Sequence, residues 1–377
     1  MSKDGRFEIF LATAPGLEEV LCAEVRSKGF NSPRAVPGGV TIKGGWPEVW
    51  RANLWIRGAG RVLAVLASFR VLHLEELRNR ARKVPWREVL RPDVPFRVEA
   101  TCAKSRIYHS GAAAERVEAA IREAVGAPSS PEAPGLAQVL VRVRIEHDVC
   151  TLSVDTSGEP LHKRGYKEAV AKAPMRETLA SLFLRQCGFD GTEPVLDPMC
   201  GSGTFVIEAA EIAARLNPGR ARRFAFEDLA TFDAAAWGRM RDAASRRTPP
   251  AHLRFYGSDR DPGAIVMART NAERAGVADL TEFRQRPISE VAAPEGPPGL
   301  VIVNPPYGSR LGDRKALLPL YRALGHTLMT RFPGWRAGLV TSEPTLARAT
   351  GLPFLPPAAP VPHGGLRVTL YQTEELP

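Results

Sequence analysis

Residues 195–204 read VLDPMCGSGT, an apolar strand that runs into an acidic, glycine-rich turn. A helix is predicted to begin at Thr204, so the turn joins a strand to a helix. Gly201 and Gly203 let the backbone approach a ligand closely, and a helix N-terminus attracts negative groups. Asp197 can accept a hydrogen bond from an ammonium group, and no Gly-Lys-Ser/Thr follows as in a P-loop. The stretch therefore predicts a site for a small, cationic, amino-acid-like cofactor.

A second acidic turn follows the next predicted strand, where residues 256–261 read YGSDRD. The Asp259 carboxylate can accept hydrogen bonds from both hydroxyls of a ribose, as acidic residues do in dinucleotide folds. Asp261 is predicted to cap the next helix, because Pro262 and Gly263 follow it. Alone, the motif is an ordinary helix-capping turn; combined with the first motif, it favours a cofactor that contains a ribose.

A third motif, NPPYG at residues 304–308, directly follows the apolar strand 300–303. An exocyclic amine on a base is a poor nucleophile, because its lone pair is delocalised into the ring. The Asn304 side-chain oxygen and the Pro305 carbonyl can accept both amine hydrogens and orient the nitrogen toward a sulfonium methyl group. Pro306 stiffens the turn further, and Tyr307 offers a ring on which the base can stack. After the two earlier motifs, this one predicts amine methylation rather than a simple turn.

The second half of the chain alternates strands and helices, which predicts an α/β domain with a parallel sheet and helices on both faces. Strands are expected at 194–196, 253–258, 300–303, 335–341 and 367–372, and helices at 175–187, 263–275 and 315–331. Residues 217–250, rich in arginine, exceed what one crossover needs and are interpreted as an insertion. We expect a solvated helical flap there, with an RNA-facing surface as the alternative.

The first 160 residues predict an α+β region. Strands are expected at 7–13, 40–43, 61–71, 96–101, 138–146 and 149–155, and helices at 17–28, 46–54, 75–84, 86–90 and 111–125. His147 and Asp148 suit a hairpin turn, and the Pro/Ser/Gly-rich stretch 126–135 suits a loop.

Composition narrows the class of protein. The net charge of +10 favours polyanionic partners, although solubility alone also explains it. Five cysteines without a CxxC pair and seven histidines without ligand spacing argue against a metal site and favour a reducing compartment, so we expect a cytoplasmic protein. No apolar run approaches the roughly 20 residues of a membrane span, and no signal-peptide layout opens the chain. Cys200 lies inside the cofactor loop, which argues against a thiolate nucleophile.

At these residues the sequence resembles the THUMP-containing guanine-N2 RNA methyltransferases, above all the N-terminal half of the fused large-subunit rRNA enzymes (RlmL type). The likeness covers nearly the whole chain, and it is carried by the segments FLATAPGLEEVL, GGVTIKG, SRIYHSGAAAERVEAAI, TLSVDTSGEPLHKRGYK, APMRETLA, LDPMCGSGTFVIEAA, FYGSDRDPGAIVMARTNAERAG and VNPPYGSRLG. It implies a ferredoxin-like domain at 1–65, a THUMP RNA-binding domain at 66–160 and a Rossmann-like class I methyltransferase domain at 161–377. One such catalytic domain is expected, without the second catalytic half of the fused enzymes.

The resemblance also implies S-adenosylmethionine as the cofactor and RNA as the partner, with no membrane and no metal. The residues predicted to bind the cofactor are Glu177, Asp197, Met199, Gly201, Gly203, Asp259 and Arg260. The predicted catalytic residues are Asn304, Pro305, Pro306 and Tyr307. The candidate RNA or active-site contacts, assigned to RNA binding, are Arg106, Lys163, Arg164 and Tyr166. One departure concerns Pro287, which stands where relatives carry an acidic residue near the adenine, so recognition there must use backbone groups or be weaker.

Three functions remain open from the sequence. The first is methylation of a guanine N2 in 23S rRNA, with tRNA as the nearest substitute. The second is a DNA adenine-N6 methyltransferase, since the Asn-Pro-Pro-Tyr chemistry suits that amine equally, although the THUMP-like region disfavours it. The third is an RNA-binding assembly factor without catalysis, which would not require all of Asp197, Gly201, Gly203, Asp259 and Asn304.

Overall fold

A computed structural model describes residues 5–126, 138–166, 175–243, 249, 253–307 and 314–377. The described residues form two compact units. Unit 1 takes its residues from 1–13, 21–161 and 222–243, and unit 2 takes its residues from 14–20, 162–221 and 244–377. No described helix is both long enough and apolar enough to cross a membrane.

The helices and strands before residue 161 agree with the predicted pattern to within a few residues. In chain order they are β1 Phe7–Ala12, α1 Glu18–Ser27, β2 Arg34–Val36, β3 Gly39–Gly44, α2 Trp46–Trp55, β4 Arg61–Arg70, α3 Leu74–Ala81, α4 Trp86–Val89, β5 Phe96–Ala103, α5 Ser110–Val125, β6 Val139–Glu146 and β7 Val149–Asp155. The short edge strand β2 was not predicted. The predicted loop at 126–135 lies, apart from Gly126, outside the described residues.

Unit 1 is built on one seven-stranded sheet in the order β2-β3-β1-β4-β7-β6-β5. Neighbouring strands are antiparallel except β5 and β6, which run parallel. The strands alternate buried and exposed residues because one face packs against helices; in β4, Val62 and Ala64 are fully buried. β4 pairs with β1 on one side and with β7 on the other, so one continuous sheet spans most of the first 155 residues.

The insertion at 217–250 is not a solvated flap over its described part, and this corrects the prediction. Residues 222–243 belong to unit 1, where they bring a set of aromatic side chains against Trp50 of α2. Phe226 and Trp237 are 0% and 5% exposed, and the Phe226 ring lies 5.0 Å from Trp237 and 6.1 Å from Trp50. The Phe226 N–H donates to the Thr156 carbonyl, and the Arg222 guanidinium donates to the Pro160 carbonyl. The segment is therefore part of the core of unit 1.

The remaining elements also follow the predicted alternation. They are α6 Glu177–Gln186, β8 Val195–Asp197, α7 Thr204–Ala213, α8 Ala234–Asp242, β9 Phe255–Asp259, α9 Pro262–Ala275, β10 Thr281–Gln285, β11 Leu300–Val303, α10 Arg314–Arg331, β12 Arg336–Thr341, α11 Pro344–Ala349, β13 Val361–His363 and β14 Leu366–Gln372. All except α8 lie in unit 2. Asp261 caps α9 as predicted, since its Oδ1 accepts a hydrogen bond from the Gly263 N–H at 2.8 Å.

Unit 2 contains the predicted parallel sheet, in the order β10-β9-β8-β11-β12-β14-β13. β8 to β12 are parallel, whereas β14 runs antiparallel to β12 and β13 antiparallel to β14. β11 is buried on both faces because helices cover the sheet on both sides. The strand order reverses at the junction of β8 and β11, and ligands of open α/β sheets bind at the carboxyl ends of the strands at such a point.

Candidate cofactor and methyl-transfer site

The three predicted strand-end motifs meet at one edge of the second sheet. β8 lies between β9 and β11, and all three run parallel, so their carboxyl ends reach the same edge. Asp197 ends β8, Asp259 ends β9 and Asn304 directly follows β11. The topology therefore brings together the side chains that the sequence singled out separately.

The glycine-rich loop after β8 is fastened to the end of β9. The Gly201 N–H donates to Asp259 Oδ2 at 3.0 Å, and the Cys200 N–H donates to the Ser258 carbonyl at 2.9 Å. Gly201 and Gly203 have φ angles of +52° and +84°, which side chains rarely tolerate. A Cβ on Gly203 would also lie 3.1 Å from Ala268 Cβ. Both glycines are therefore required by the shape of the cradle.

The Asp197 carboxyl is buried at the base of this cradle. It is 2% exposed, and its Oδ1 accepts a hydrogen bond from the Met199 N–H at 3.0 Å. Burial raises the pKa of Asp197 to about 8, the Met199 hydrogen bond opposes the rise, and the neighbouring Asp259 charge adds to it. A cationic group bound beside Asp197 would restore the ionised form, so the carboxyl fits the ammonium end of an amino-acid-like cofactor.

Asp259 is held ready to accept further hydrogen bonds. Its two carboxylate oxygens accept the N–H groups of Gly201 and Asp261, each at 3.0 Å. Since a carboxylate has about four acceptor sites, lone pairs remain for ribose hydroxyls. Beside it, Arg260 is exposed and Met199 is half-buried. Both residues are neighbours in the chain of the two acidic side chains, and their contact with the cofactor remains a prediction.

The region predicted to hold the adenine lies at the end of β10. Pro287 is exposed, and the preceding Arg286 N–H donates to the Asp259 carbonyl at 2.9 Å. Ile288 is buried beside it. Sequence analysis gave no weight to Gly257, although a Cβ there would lie 2.5 Å from the Phe283 ring. Only a glycine at this point of β9 lets Phe283 pack under the cradle.

The Asn304 side chain has the acceptor that amine chemistry requires. Its Oδ1 atom is buried and has no hydrogen-bond partner among the described residues. Unsatisfied buried acceptors are rare, because each costs about 1–3 kcal/mol. Pro305 is buried next to it, and Tyr307 is half-buried, with its pKa raised to about 12 by burial. The turn therefore offers one unused acceptor beside an aromatic ring that stays neutral at physiological pH.

Tyr321 fixes this turn, and sequence analysis missed it. The side chain lies on α10 and is fully buried. Its hydroxyl donates to the Pro306 carbonyl at 3.1 Å and lies 3.3 Å from Thr341 Oγ1. A lone tyrosine on an apolar helix face gives no signal for this contact in the sequence.

Two candidate RNA contacts are buried, which corrects their assignment. The Arg164 guanidinium is 2% exposed and forms an ion pair with Glu208 of α7, with Nε 3.1 Å from Oε1. Tyr166 is 5% exposed, and its burial beside Glu211, Glu208 and Glu177 raises its pKa well above the usual value. Neither side chain is accessible to RNA in this conformation, and both instead tie their segment to α7.

The roles assigned to Lys163, Arg106 and Glu177 stay predictions. Lys163 and Arg106 are exposed, which suits contact with RNA. Glu177, in the first turn of α6, is 4% exposed and lies near Tyr166. Burial raises the pKa of the Cys200 thiol well above 9, so it is not a thiolate nucleophile. Among the described residues no group of three or more His, Cys, Asp or Glu side chains could hold a metal ion.

The strand order, the switch point and the acidic cradle define a class I S-adenosylmethionine-dependent methyltransferase. The orphaned Asn304 acceptor, the buried Asp197 and the glycine cradle all fit that cofactor and an amine substrate. The chain belongs to the RMKL-like methyltransferase-domain family, whose model matches residues 164–353. Residues 8–63 match the RlmL ferredoxin-like domain and residues 73–155 match the THUMP domain.

Known proteins resemble the chain along most of its length. It is 34% identical over 343 residues to the ribosomal RNA large subunit methyltransferase K/L of Vibrio campbellii, covering 89% of this chain and 48% of that protein. The chain thus spans about half the length of this curated relative. A Listeria monocytogenes protein described as a predicted N6-adenine-specific DNA methylase is 32% identical, with a TM-score of 0.88 over 99% of this chain and 97% of that one. SMU.472, solved in complex with SAH, is 29% identical, with a TM-score of 0.87 over 100% of both chains.

Proposed function

We propose that this chain transfers a methyl group to the exocyclic N2 of a guanine in large-subunit (23S) ribosomal RNA. The observation that carries the proposal is the buried Asn304 Oδ1, which lacks a partner among the described residues at the carboxyl end of β11. Together with the Pro305 carbonyl it offers two acceptors to the two hydrogens of an exocyclic amine.

Each residue of the site has a part in this chemistry. S-adenosylmethionine supplies an electrophilic methyl group when it is bound. Asp197 would pair with the ammonium end of the cofactor, and Asp259 would accept hydrogen bonds from the ribose hydroxyls. Asn304 and Pro305 hold the amine by its hydrogens, which fixes the nitrogen and favours localisation of its lone pair. Tyr307 stacks on the base and keeps it in the plane that this hydrogen bonding requires.

The comparisons support RNA as the substrate more strongly than the site supports guanine as the target base. The matched THUMP domain and the curated relative named for ribosomal RNA favour RNA over DNA. The same Asn-Pro-Pro-Tyr turn suits an adenine N6, and the Listeria relative carries that description. A DNA adenine-N6 methyltransferase is therefore the second candidate function, and tRNA is the second candidate RNA.

The proposal extends to the organisation of the whole chain. It assigns residues 1–65 to a ferredoxin-like domain and 66–160 to a THUMP domain that binds RNA. Residues 161–377 form the catalytic domain, except 222–243, which belong to unit 1. Arg106 and Lys163, both exposed, would contact RNA. The expected place of the reaction is the cytoplasm.

The first test identifies the methylated nucleoside without assuming which base or nucleic acid is the substrate. The full chain is incubated with labelled S-adenosylmethionine and separate pools of unmodified large rRNA, tRNA and DNA, followed by nucleoside mass spectrometry. N2-methylguanosine in the large rRNA is expected. Methyladenosine in DNA would replace the proposal by its second candidate, and no product from any pool would overturn catalysis altogether.

Asn304→Ala should separate binding from chemistry. Turnover is expected to fall on the order of 100-fold or more, because a preorganised group at the reacting atom is lost. The cofactor Kd, measured by calorimetry, should stay within about twofold, because the assigned cofactor contacts are elsewhere. Asp259→Ala is the matched control and should weaken cofactor binding; equal loss of binding in both variants would contradict the role of Asn304.

A further inference from the structure

Three segments that are distant in sequence meet at one end of unit 1. This end, called the hairpin end below, consists of residues 70–73, 104–109 and 147–148. Asp148 joins them: its carbonyl accepts the Val71 N–H at 2.8 Å, and its Oδ1 accepts the Arg106 N–H at 2.8 Å. Its own N–H donates to Ser105 Oγ at 3.0 Å. The loop at 104–109 is therefore held in one conformation by the tip of the β6–β7 hairpin.

The backbone at the hairpin end is unusual. Lys104, His147 and Asp148 have φ angles of +48°, +48° and +62°, and they are three of the five described non-glycine residues with positive φ. The hairpin turn accounts for His147 and Asp148, since tight hairpin turns require this conformation and Asp and His tolerate it. Lys104 has no such reason. Strained residues persist where the surroundings enforce them, and they concentrate at binding sites.

The loop after Lys104 presents an aromatic ring to solvent. Tyr108 is 83% exposed, the highest value among the large apolar side chains that the structure describes. Ile107 beside it is 5% exposed and anchors the loop. Because most of the Tyr108 side chain is in solvent, its ring contributes little to this packing. An exposed aromatic ring on a loop held by hydrogen bonds is available for stacking against a nucleic-acid base.

The surroundings of Tyr108 favour a polyanion. Lys104 and Arg106 are exposed, and neither forms an ion pair with any residue that the structure describes. α3 and α5 run parallel, since Arg116 pairs with Glu75 and Arg82 with Glu123, so His73 and His109 lie at the same end. Four nearby acidic groups have partners. Asp148 accepts the Arg106 N–H, and Glu146 pairs with Arg144 at 2.5 Å. Glu76 accepts the Leu72 N–H and pairs with Arg80, and Glu75 pairs with Arg116.

We propose that Tyr108 stacks on an unpaired base of the RNA substrate while Lys104 and Arg106 bind the phosphates beside it. This inference rests on the proposed function, because it assumes that the substrate is RNA. Base stacking on an aromatic ring tolerates any base, whereas a base inside a duplex has no free face. The hairpin end therefore recognises a single-stranded nucleotide rather than a sequence, and it anchors the RNA apart from the base that is methylated.

The test measures RNA binding without cofactor, so it does not depend on methyl transfer. Two labelled RNA stem-loops are used, one with a single-stranded tail and one in which the same tail is paired, and Kd is obtained by fluorescence anisotropy. Tyr108→Ala should weaken binding of the tailed RNA by roughly 5- to 150-fold and leave the paired RNA nearly unchanged. Tyr108→Phe, which keeps the ring, should bind as the native chain does.

Two controls define the outcome. Val266→Ala removes another exposed apolar side chain, 62% exposed on α9 of unit 2, and should change neither Kd. Arg106→Ala should reduce the slope of log Kd against log salt by about 1. An unchanged Kd for Tyr108→Ala, or an equal loss for Tyr108→Phe, overturns the inference. If guanine is methylated but Tyr108→Ala has no effect on binding, the proposed function stands and this inference is wrong. If Tyr108→Ala weakens binding of the tailed RNA but no RNA is methylated, the RNA-binding site stands and the proposed function is wrong.

Discussion

At the scale of single residues, Asp197 links cofactor binding to pH. Burial raises its pKa to about 8, so a cationic cofactor must displace a proton from this carboxyl at neutral pH. Cofactor affinity should therefore increase as pH rises toward 8, by up to about tenfold per unit. The stability of the cofactor-free protein should change in the opposite direction. Because the folded-state pKa of Asp197 lies above the unfolded value of about 3.9, the free energy of unfolding should decrease as pH rises from about 3.9 to about 8.

Calorimetric titration of S-adenosylmethionine across this pH range checks the linkage. Proton release on binding should be detected as a dependence of the observed heat on the ionisation enthalpy of the buffer. Asp197→Asn has the same shape without the titrating group and should bind more weakly, with a flat pH profile. A profile in Asp197→Asn as steep as that of the native chain would assign the titration to another group.

Tyr321 acts on the reaction through the turn that it supports. Tyr321→Phe removes the hydrogen bond to the Pro306 carbonyl, worth about 0.5–1.5 kcal/mol, and frees the turn that carries Asn304. We expect kcat to fall several-fold, with the cofactor Kd and the KM for RNA unchanged, because no assigned binding contact is altered. Steady-state kinetics on the methyl-accepting RNA measures this split.

Tyr321 belongs to an apolar core cluster that also includes Leu324 and Phe332. The control for this prediction is another tyrosine that packs against this cluster. Tyr371 packs against that cluster from β14, and it has no contact with the Asn-Pro-Pro-Tyr turn among the described hydrogen bonds. Tyr371→Phe should leave kcat unchanged. If both variants lose activity equally, the effect belongs to the cluster as a whole rather than to the turn.

At the scale of elements, the segment 222–243 contributes to the stability of unit 1. Trp237 is 5% exposed and packs edge-on against Phe226, so Trp237→Ala should destabilise unit 1 by about 3–5 kcal/mol. Arg239→Ala on the exposed side of the same helix is the matched control and should stay within about 0.5 kcal/mol. Urea unfolding followed by tryptophan fluorescence compares them, and equal midpoints would mean that the aromatic cluster contributes no stability.

The elements themselves were largely predictable because their signals are local. The strands that end at Asp197 and Asp259 and before Asn304 combine an apolar run with a turn at its end, and parallel pairing then places the three motifs at one edge. The packing of 222–243 was not predictable in the same way, because Phe226 and Trp50 are far apart in sequence. The aromatic residues of segment 222–243 indicate burial, but the surrounding arginines favoured the interpretation of the segment as a solvated surface.

Burial of charged side chains was the other point at which local signals failed. Arg164 lies in a basic segment that resembles a surface, and its partner Glu208 occurs 44 residues later on an apolar helix. An arginine in water and one in a buried ion pair have the same sequence signature. Tyr321 escaped notice for a similar reason, because its hydroxyl meets a carbonyl of a turn that precedes it in the chain.

At the scale of the whole molecule, the residues predicted to bind cofactor and base and the exposed candidate Arg106 belong to different units. Unit 2 contains every residue assigned to cofactor and base, and unit 1 contains Arg106 and the hairpin end. The family assignment defines the catalytic class, and the choice between guanine and adenine depends on the test of product. Because the curated relative is about twice as long, the reaction of that whole protein is not assumed for this chain.

The membership of residues 222–243 in unit 1 also has a consequence for synthesis on the ribosome. When residue 161 has been made, all seven strands of the unit 1 sheet have been synthesised, but Trp50 still lacks aromatic partners such as Phe226. About 80 more residues must be added, which takes roughly 4–16 s at 5–20 residues per second. During that interval the nascent chain carries an open apolar face, so unit 1 completes its core only after residues 162–221 of unit 2 have been translated.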